Sequence, residues 1–136
     1  MKSKKIILDT NLWISYLITK NYKQLDRLID NKEVTLIFSQ ELIEEFIEVT
    51  SRPKFEKYFS FSDIKELLSK FDTYGKLIKV TSRVEKCRDF KDNFLLNLAI
   101  DSKSDYLLTG DIDLLELKRV NKTRIITFKE LISILD

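Results

Sequence analysis

The chain has 136 residues, with 24 Lys and Arg against 22 Asp and Glu, one Cys and no His. Its length suits a single domain over residues 1–136, and a hydrophobic share of 43% is enough for a core. Without histidine, imidazole-based hydrolysis and histidine zinc sites are excluded, and Cys87 alone makes no internal disulfide, so carboxylates are the available catalytic material.

Lys5-Ile-Ile-Leu8 reads as a buried strand ending at Asp9. Residues 12–17 and 22–29 carry helical spacing, with Leu25, Leu28 and Ile29 on one face. Val34-Thr-Leu-Ile-Phe38 is a second strand, and Ser39 caps a helix to about residue 49 that Arg52-Pro53 breaks. Ser60-Phe-Ser-Asp63 is a capping signal for a helix over 61–74, with Ile64, Leu67, Leu68 and Phe71 as its buried stripe. Residues 77–80 form a third strand, and Asp92 caps a helix containing Leu95, Leu98 and Ala99. A fourth strand over 106–109 closes at Gly110-Asp111, and a short helix covers 114–117. A fifth strand spans 124–127, and Thr127 caps the last helix with Glu130 three residues on. Apolar strands alternating with helices predict an α/β fold whose mostly parallel sheet is covered on both faces.

No apolar run approaches the ~20 residues of a membrane span. The charged start and short apolar stretch before Asp9 do not read as a secretory signal, so the expectation is a cytoplasmic protein with Cys87 reduced. Two segments are locally basic. Six basic residues fall between Lys76 and Lys91, and five fall between Lys118 and Lys129 with no acid among them. These offer a surface for phosphates or an ordinary solvated face. Trp13 is expected to pack in the core, and Phe55, Tyr58, Phe59 and Phe61 to form a contact for a partner helix or second subunit.

In open parallel sheets, ligands gather at the carboxyl ends of strands. Asp9 follows the first strand, Asp111 lies past the fourth, and Asp92 opens the helix after the third, with Asp89 as its rival three residues earlier. Each is also an ordinary capping or turn residue. The second helix signal carries Glu41, Glu44, Glu45 and Glu48. At ~100° per residue, Glu45 lies about 115° from the centre of the apolar face and the other three lie farther round, so Glu45 is best placed to reach inward. Two carboxylates ~4 Å apart repel by roughly 4 kcal/mol at an effective dielectric near 20. Acids sharing one rim therefore favour a cation, and hard Mg²⁺ or Mn²⁺ suits all-oxygen donors. Such ions support phosphodiester hydrolysis without histidine.

Ile7-Leu8-Asp9-Thr10-Asn11 resembles the opening of PIN domains. The segments from Ser39 to Phe55, Cys87 to Ala99 and Tyr106 to Leu115 are similar, in order, to the later motifs of PIN-type toxins (VapC-like). This resemblance implies a three-layer α/β/α, Rossmann-like fold with a central sheet of about five strands. It also implies Mg²⁺- or Mn²⁺-dependent ribonuclease activity, the toxin role in a type II toxin–antitoxin pair, an antitoxin partner and a homodimer. Carried over by residue, the catalytic and metal-binding acids are Asp9, Glu45, Asp92 and Asp111. Asp113 is an auxiliary metal-binding acid, and Asn11 and Thr109 are positioning groups. Glu45-Phe46 stands where that group often has Glu-Leu, which leaves Glu44 as the alternative to Glu45. Two other readings compete. One is an aspartyl-phosphate phosphotransferase or receiver-like domain, for which Asp9-Thr10-Asn11 lacks the second acid. The other is a catalytically degenerate module that holds RNA or protein.

Overall fold

The structure is a computed structural model that describes residues 3–19, 23–58, 60–83 and 93–135. Six strands, β1 (Lys4–Leu8), β2 (Val34–Phe38), β3 (Gly75–Leu77), β4 (Tyr106–Leu108), β5 (Arg119–Val120) and β6 (Thr123–Ile126), form one sheet in the order β3-β2-β1-β4-β6-β5. All pairings are parallel except β5 with β6. The helices are α1 (Thr10–Thr19), α2 (Lys23–Asp30), α3 (Gln40–Thr50), α4 (Phe61–Tyr74), α5 (Asn93–Ser102), α6 (Ile112–Leu115) and α7 (Phe128–Leu135). Among the described residues no helix is long and apolar enough to cross a membrane.

Successive strand side chains point to opposite faces of a sheet. Ile6, Ile7 and Leu8 on β1, Leu36, Ile37 and Phe38 on β2, and Tyr106, Leu107 and Leu108 on β4 are buried without alternation. Both faces are therefore covered, which is the three-layer α/β/α arrangement. Each fully buried Leu, Ile or Phe contributes about 1.5–3 kcal/mol relative to exposure, so these strands anchor the fold. Leu25, Leu28 and Ile29 of α2 are buried, and Trp13 of α1 packs on Phe38 with ring centroids 6.0 Å apart. Ile64 and Leu68 of α4 pack against the core half-buried.

Local signals set the helix ends. The Leu42 N–H donates to Ser39 Oγ at the start of α3. Ser60 and Asp63 exchange side-chain-to-backbone bonds before α4, and Thr127 and Glu130 do the same at α7. Helix exits use an unusual residue. With two glycines in the chain, lysines take the left-handed position at Lys32 (φ 58°), Lys103 (φ 53°) and Lys118 (φ 63°). The Lys32 N–H donates to the Ile29 carbonyl at 3.0 Å and the Glu33 N–H to Leu28 at 2.9 Å; Lys103 and Ser104 repeat the pattern on Ile100 and Ala99. Glycine usually closes a helix in this way, because the left-handed backbone costs an L-residue about 1–2 kcal/mol. The lysine charge offsets part of that cost at the negative end of the helix dipole.

Among the described residues the sheet has six strands, in line with the expected sheet of about five; Arg119–Val120 is too short to show a pattern in sequence. Two expectations need correction. The third strand is Gly75–Leu77, not residues 77–80. It starts as α4 ends at Tyr74, and its ladder closes at the Ile78 N–H to Phe38 carbonyl bond, where β2 runs out. The short helix expected over 114–117 is Ile112–Leu115, because Asp111 caps it. Asp89, Asp92, Cys87, Phe59 and the basic residues at 86, 88 and 91 lie outside the described residues.

Candidate active site

From β1 the chain moves to β2 and then β3 on one side, whereas β4 and β6 lie on the other. The crevice between β1 and β4 is therefore the topological switch point, where parallel sheets bind ligands at their carboxyl ends. Asp9 stands at the end of β1, and the Thr109-Gly110-Asp111 turn at the end of β4. Backbone bonds fix both. The Asp9 N–H donates to the Leu108 carbonyl at 3.0 Å, and the Thr109 N–H to the Ile126 carbonyl at 3.1 Å.

One hydroxyl joins the two ends. Thr109 Oγ1 donates to Asp9 Oδ2 at 2.7 Å and accepts from the Asp111 N–H at 3.0 Å. An ionised carboxylate can only accept, so the hydroxyl proton points toward Asp9. The other oxygen, Asp9 Oδ1, accepts from the Asn11 N–H at 3.3 Å. Asn11 thus serves through its backbone, and its side chain is exposed. Asp111 accepts from the Asp113 N–H at 2.8 Å, capping α6. Both aspartates therefore do capping work, and capping leaves free lone pairs on each carboxylate.

Glu45 of α3 is half-buried, whereas Glu41, Glu44 and Glu48 are exposed. Glu44 accepts from Gln40, and Glu48 pairs with Arg52 at 2.9 Å. Glu45 Oε2 accepts from Thr10 Oγ1 at 2.6 Å, which ties α3 to the first residue of α1. The sequence reading missed Thr10. Its signal was adjacency to Asp9 combined with burial, and only the fold supplies the burial.

Asp9 is 5% exposed. Burial raises its pKa above the ordinary value, hydrogen bonds from Thr109 and the Asn11 N–H oppose this, and the charge of Asp111 adds to it. Burial also raises the pKa of Glu45, opposed by the Thr10 bond and reinforced by the charge of Asp9. Negative charge is thus unfavourable at Asp9 and at Glu45. Among the described residues no three acids converge as a ready-made coordination set. The described part of the site suits a hard cation in charge and in donor chemistry without enclosing one. Asp113 lies half-buried beside Asp111.

A second device lies at the other end of α5. Asp101 of α5 accepts from the N–H groups of Thr81 and Ser82, at 2.5 and 2.8 Å, and from the Ser82 hydroxyl. The Ser82 hydroxyl bond is the largest of the effects that lower its pKa. This clip fastens the strand exit after β3 to α5. Nothing in the sequence reading singled out Asp101.

A family model described as PIN domain matches residues 5–113, a span holding Asp9, Glu45, Asp92, Asp111 and Asp113. The chain belongs to the PIN domain family. It is also 34% identical over 122 residues to the uncharacterized protein MJ1680 of Methanocaldococcus jannaschii, covering 87% of this chain and 77% of that protein. PIN domains are generally nucleases and typically use divalent metals. In this PIN domain the switch-point crevice carries Asp9 and Asp111, with Glu45 joined through Thr10.

Proposed function

We propose that this PIN domain is an endoribonuclease that hydrolyses RNA phosphodiesters with Mg²⁺ or Mn²⁺, and that it is the toxin of a toxin–antitoxin pair. The observation that carries the reading is the buried Asp9 carboxylate at the switch point, charged against Glu45 and Asp111 in a chain that has no histidine. Asp9, Glu45, Asp92 and Asp111 would hold the ion, with Asp113 as an auxiliary acid. A bound divalent ion supplies positive charge to the phosphate oxygens and acidifies the attacking water. Thr109 and Thr10 keep the Asp9 and Glu45 carboxylates in fixed rotamers through their hydroxyls. Glu45 would complete the site, directly or by orienting the attacking water. The burial of Asp9 and the amide at Asn11 speak against an aspartyl-phosphate mechanism.

Purified Asp9→Asn protein is expected to lose Mg²⁺-dependent RNA cleavage. Cleavage that survives in that variant, or in excess chelator, overturns the reading. Calorimetric Mn²⁺ binding that is lost in Asp9→Ala separates an intact from a degenerate site. The toxin role, an antitoxin partner and a homodimer belong to the same proposal. Growth arrest on expression that requires Asp9, and that a small neighbouring gene relieves, tests the first two; light scattering tests the third.

A further inference from the structure

Beyond the acidic crevice, β5 and β6 form an antiparallel pair in which Arg119 stands directly opposite Arg124. Directly opposed residues share a face, and like charges so placed destabilise a sheet. Lys118 adjoins them in a left-handed backbone conformation. These three cations line a cavity of about 480 Å³, with Leu115, Ile125 and Ile126 as apolar lining. None of the three makes an ion pair or side-chain hydrogen bond with another described residue. Glu130, the acid among these lining residues, accepts the Thr127 N–H and hydroxyl on Oε1 at the start of α7 and sets one negative charge against the three positive ones. By contrast, the neighbouring Lys122 is within 3.7 Å of Asp105. The carboxyl end of β6 is bonded to Thr109, so the cavity flanks the strand that supports the active site. It also lies past residue 113, where the PIN family match ends.

We infer that the Lys118–Arg119–Arg124 cavity is an anion subsite that grips the phosphate backbone of the RNA substrate away from the scissile bond. Two arginines and a lysine against one glutamate, around an open cavity with an apolar lining, fit a nucleotide. The phosphates neutralise the like charges, and the sugar and base face the aliphatic wall. An acidic protein segment would satisfy the charges without using that wall. The inference rests on the ribonuclease reading for its choice of ligand.

The test measures binding of a labelled single-stranded RNA oligonucleotide to the full chain in excess chelator, where cleavage is off. Arg119→Gln with Arg124→Gln is expected to weaken binding about tenfold. It should also lower the slope of log affinity against log salt by about 1.4, for two lost phosphate contacts. Lys54→Gln with Lys57→Gln makes the same charge change beside Phe55 and Tyr58 and should leave both quantities unchanged. Unchanged binding in the arginine variant, or equal loss in the lysine variant, overturns the subsite. A polyglutamate peptide that displaces the RNA at equal concentration overturns the choice of RNA. Thermal melting checks folding, and removal of the opposed charges should hold or raise the midpoint. Asp9→Asn decides the nuclease reading separately: RNA binding that depends on the arginines stands even where cleavage ignores Asp9.

Discussion

The crevice at β1 and β4 and the cavity at β5 and β6 both gather like charges, and the fold supports the two clusters in opposite ways. Asp9 is buried and held by a threonine hydroxyl and a backbone N–H, so its charge is costly even though its geometry is fixed. Arg119 and Arg124 are exposed and held by strand register alone, so water screens their repulsion while their side chains stay unanchored. A buried cluster suits a small ion that must sit in one place. An exposed cluster suits a long polyanion that needs only to be caught. The difference also separates readouts: changes at the crevice should act on catalysis and on the stability of the metal-free protein, and changes at the cavity on affinity and salt dependence.

Asp9→Asn probes the crevice most strongly. It should lower RNA cleavage by more than about 100-fold and raise the melting midpoint of the metal-free protein, since a buried charge is removed. A lower midpoint would mean that the carboxylate stabilises the fold and that the comparison is wrong. Thr109→Val keeps the shape and removes the shared hydroxyl. It should cost about 10–100-fold in Mn²⁺ affinity or cleavage while leaving RNA binding in chelator intact.

A pH titration of the metal-free protein comes next. Asp9 and Glu45 both have folded pKa values above their ordinary ones. Their contribution to stability is full while they are protonated, below about pH 4, and is lost as pH rises through the raised values. Melting midpoints should therefore carry a term that falls as pH rises above about 4 and is smaller in Asp9→Asn. Asp101 works in the opposite sense, since its pKa is lowered and its contribution fades as pH falls. The smallest expected effects come from the helix exits. Lys103→Gly and Lys118→Gly should each stabilise by up to about 1 kcal/mol through relief of a left-handed backbone. Only Lys118→Gly should weaken RNA binding. Equal binding by both would reduce Lys118 to a helix cap.

Much of the frame was readable because it depends on local chemistry. Continuous apolar runs mark β1, β2 and β4, as strands buried on both faces must. Ser39, Ser60 and Thr127 cap the helices that their spacing indicates. The helical phase of α3 was enough to find Glu45 as its inward acid. What sequence did not show depends on pairing between distant segments. β3 ends where its neighbour ends, and β5 exists only because β6 lies beside it. Thr10 matters because α3 crosses it, and Asp101 because it collects the strand exit after β3. The position of Asp92 lies outside the described residues, so its place in the site rests on the sequence reading.

Thr109 gives the crevice a mechanical property. Its side chain is branched at Cβ and has little rotational freedom, and its one oxygen connects a carboxylate on one loop to the amide of the next. The hydroxyl acts as a strut between Asp9 and the start of α6, so a pull on Asp111 is transmitted to Asp9 rather than absorbed by the turn. Serine would keep the bond but add slack. The Asp9 carboxylate and the Asp111 backbone are therefore joined through a residue that carries no charge.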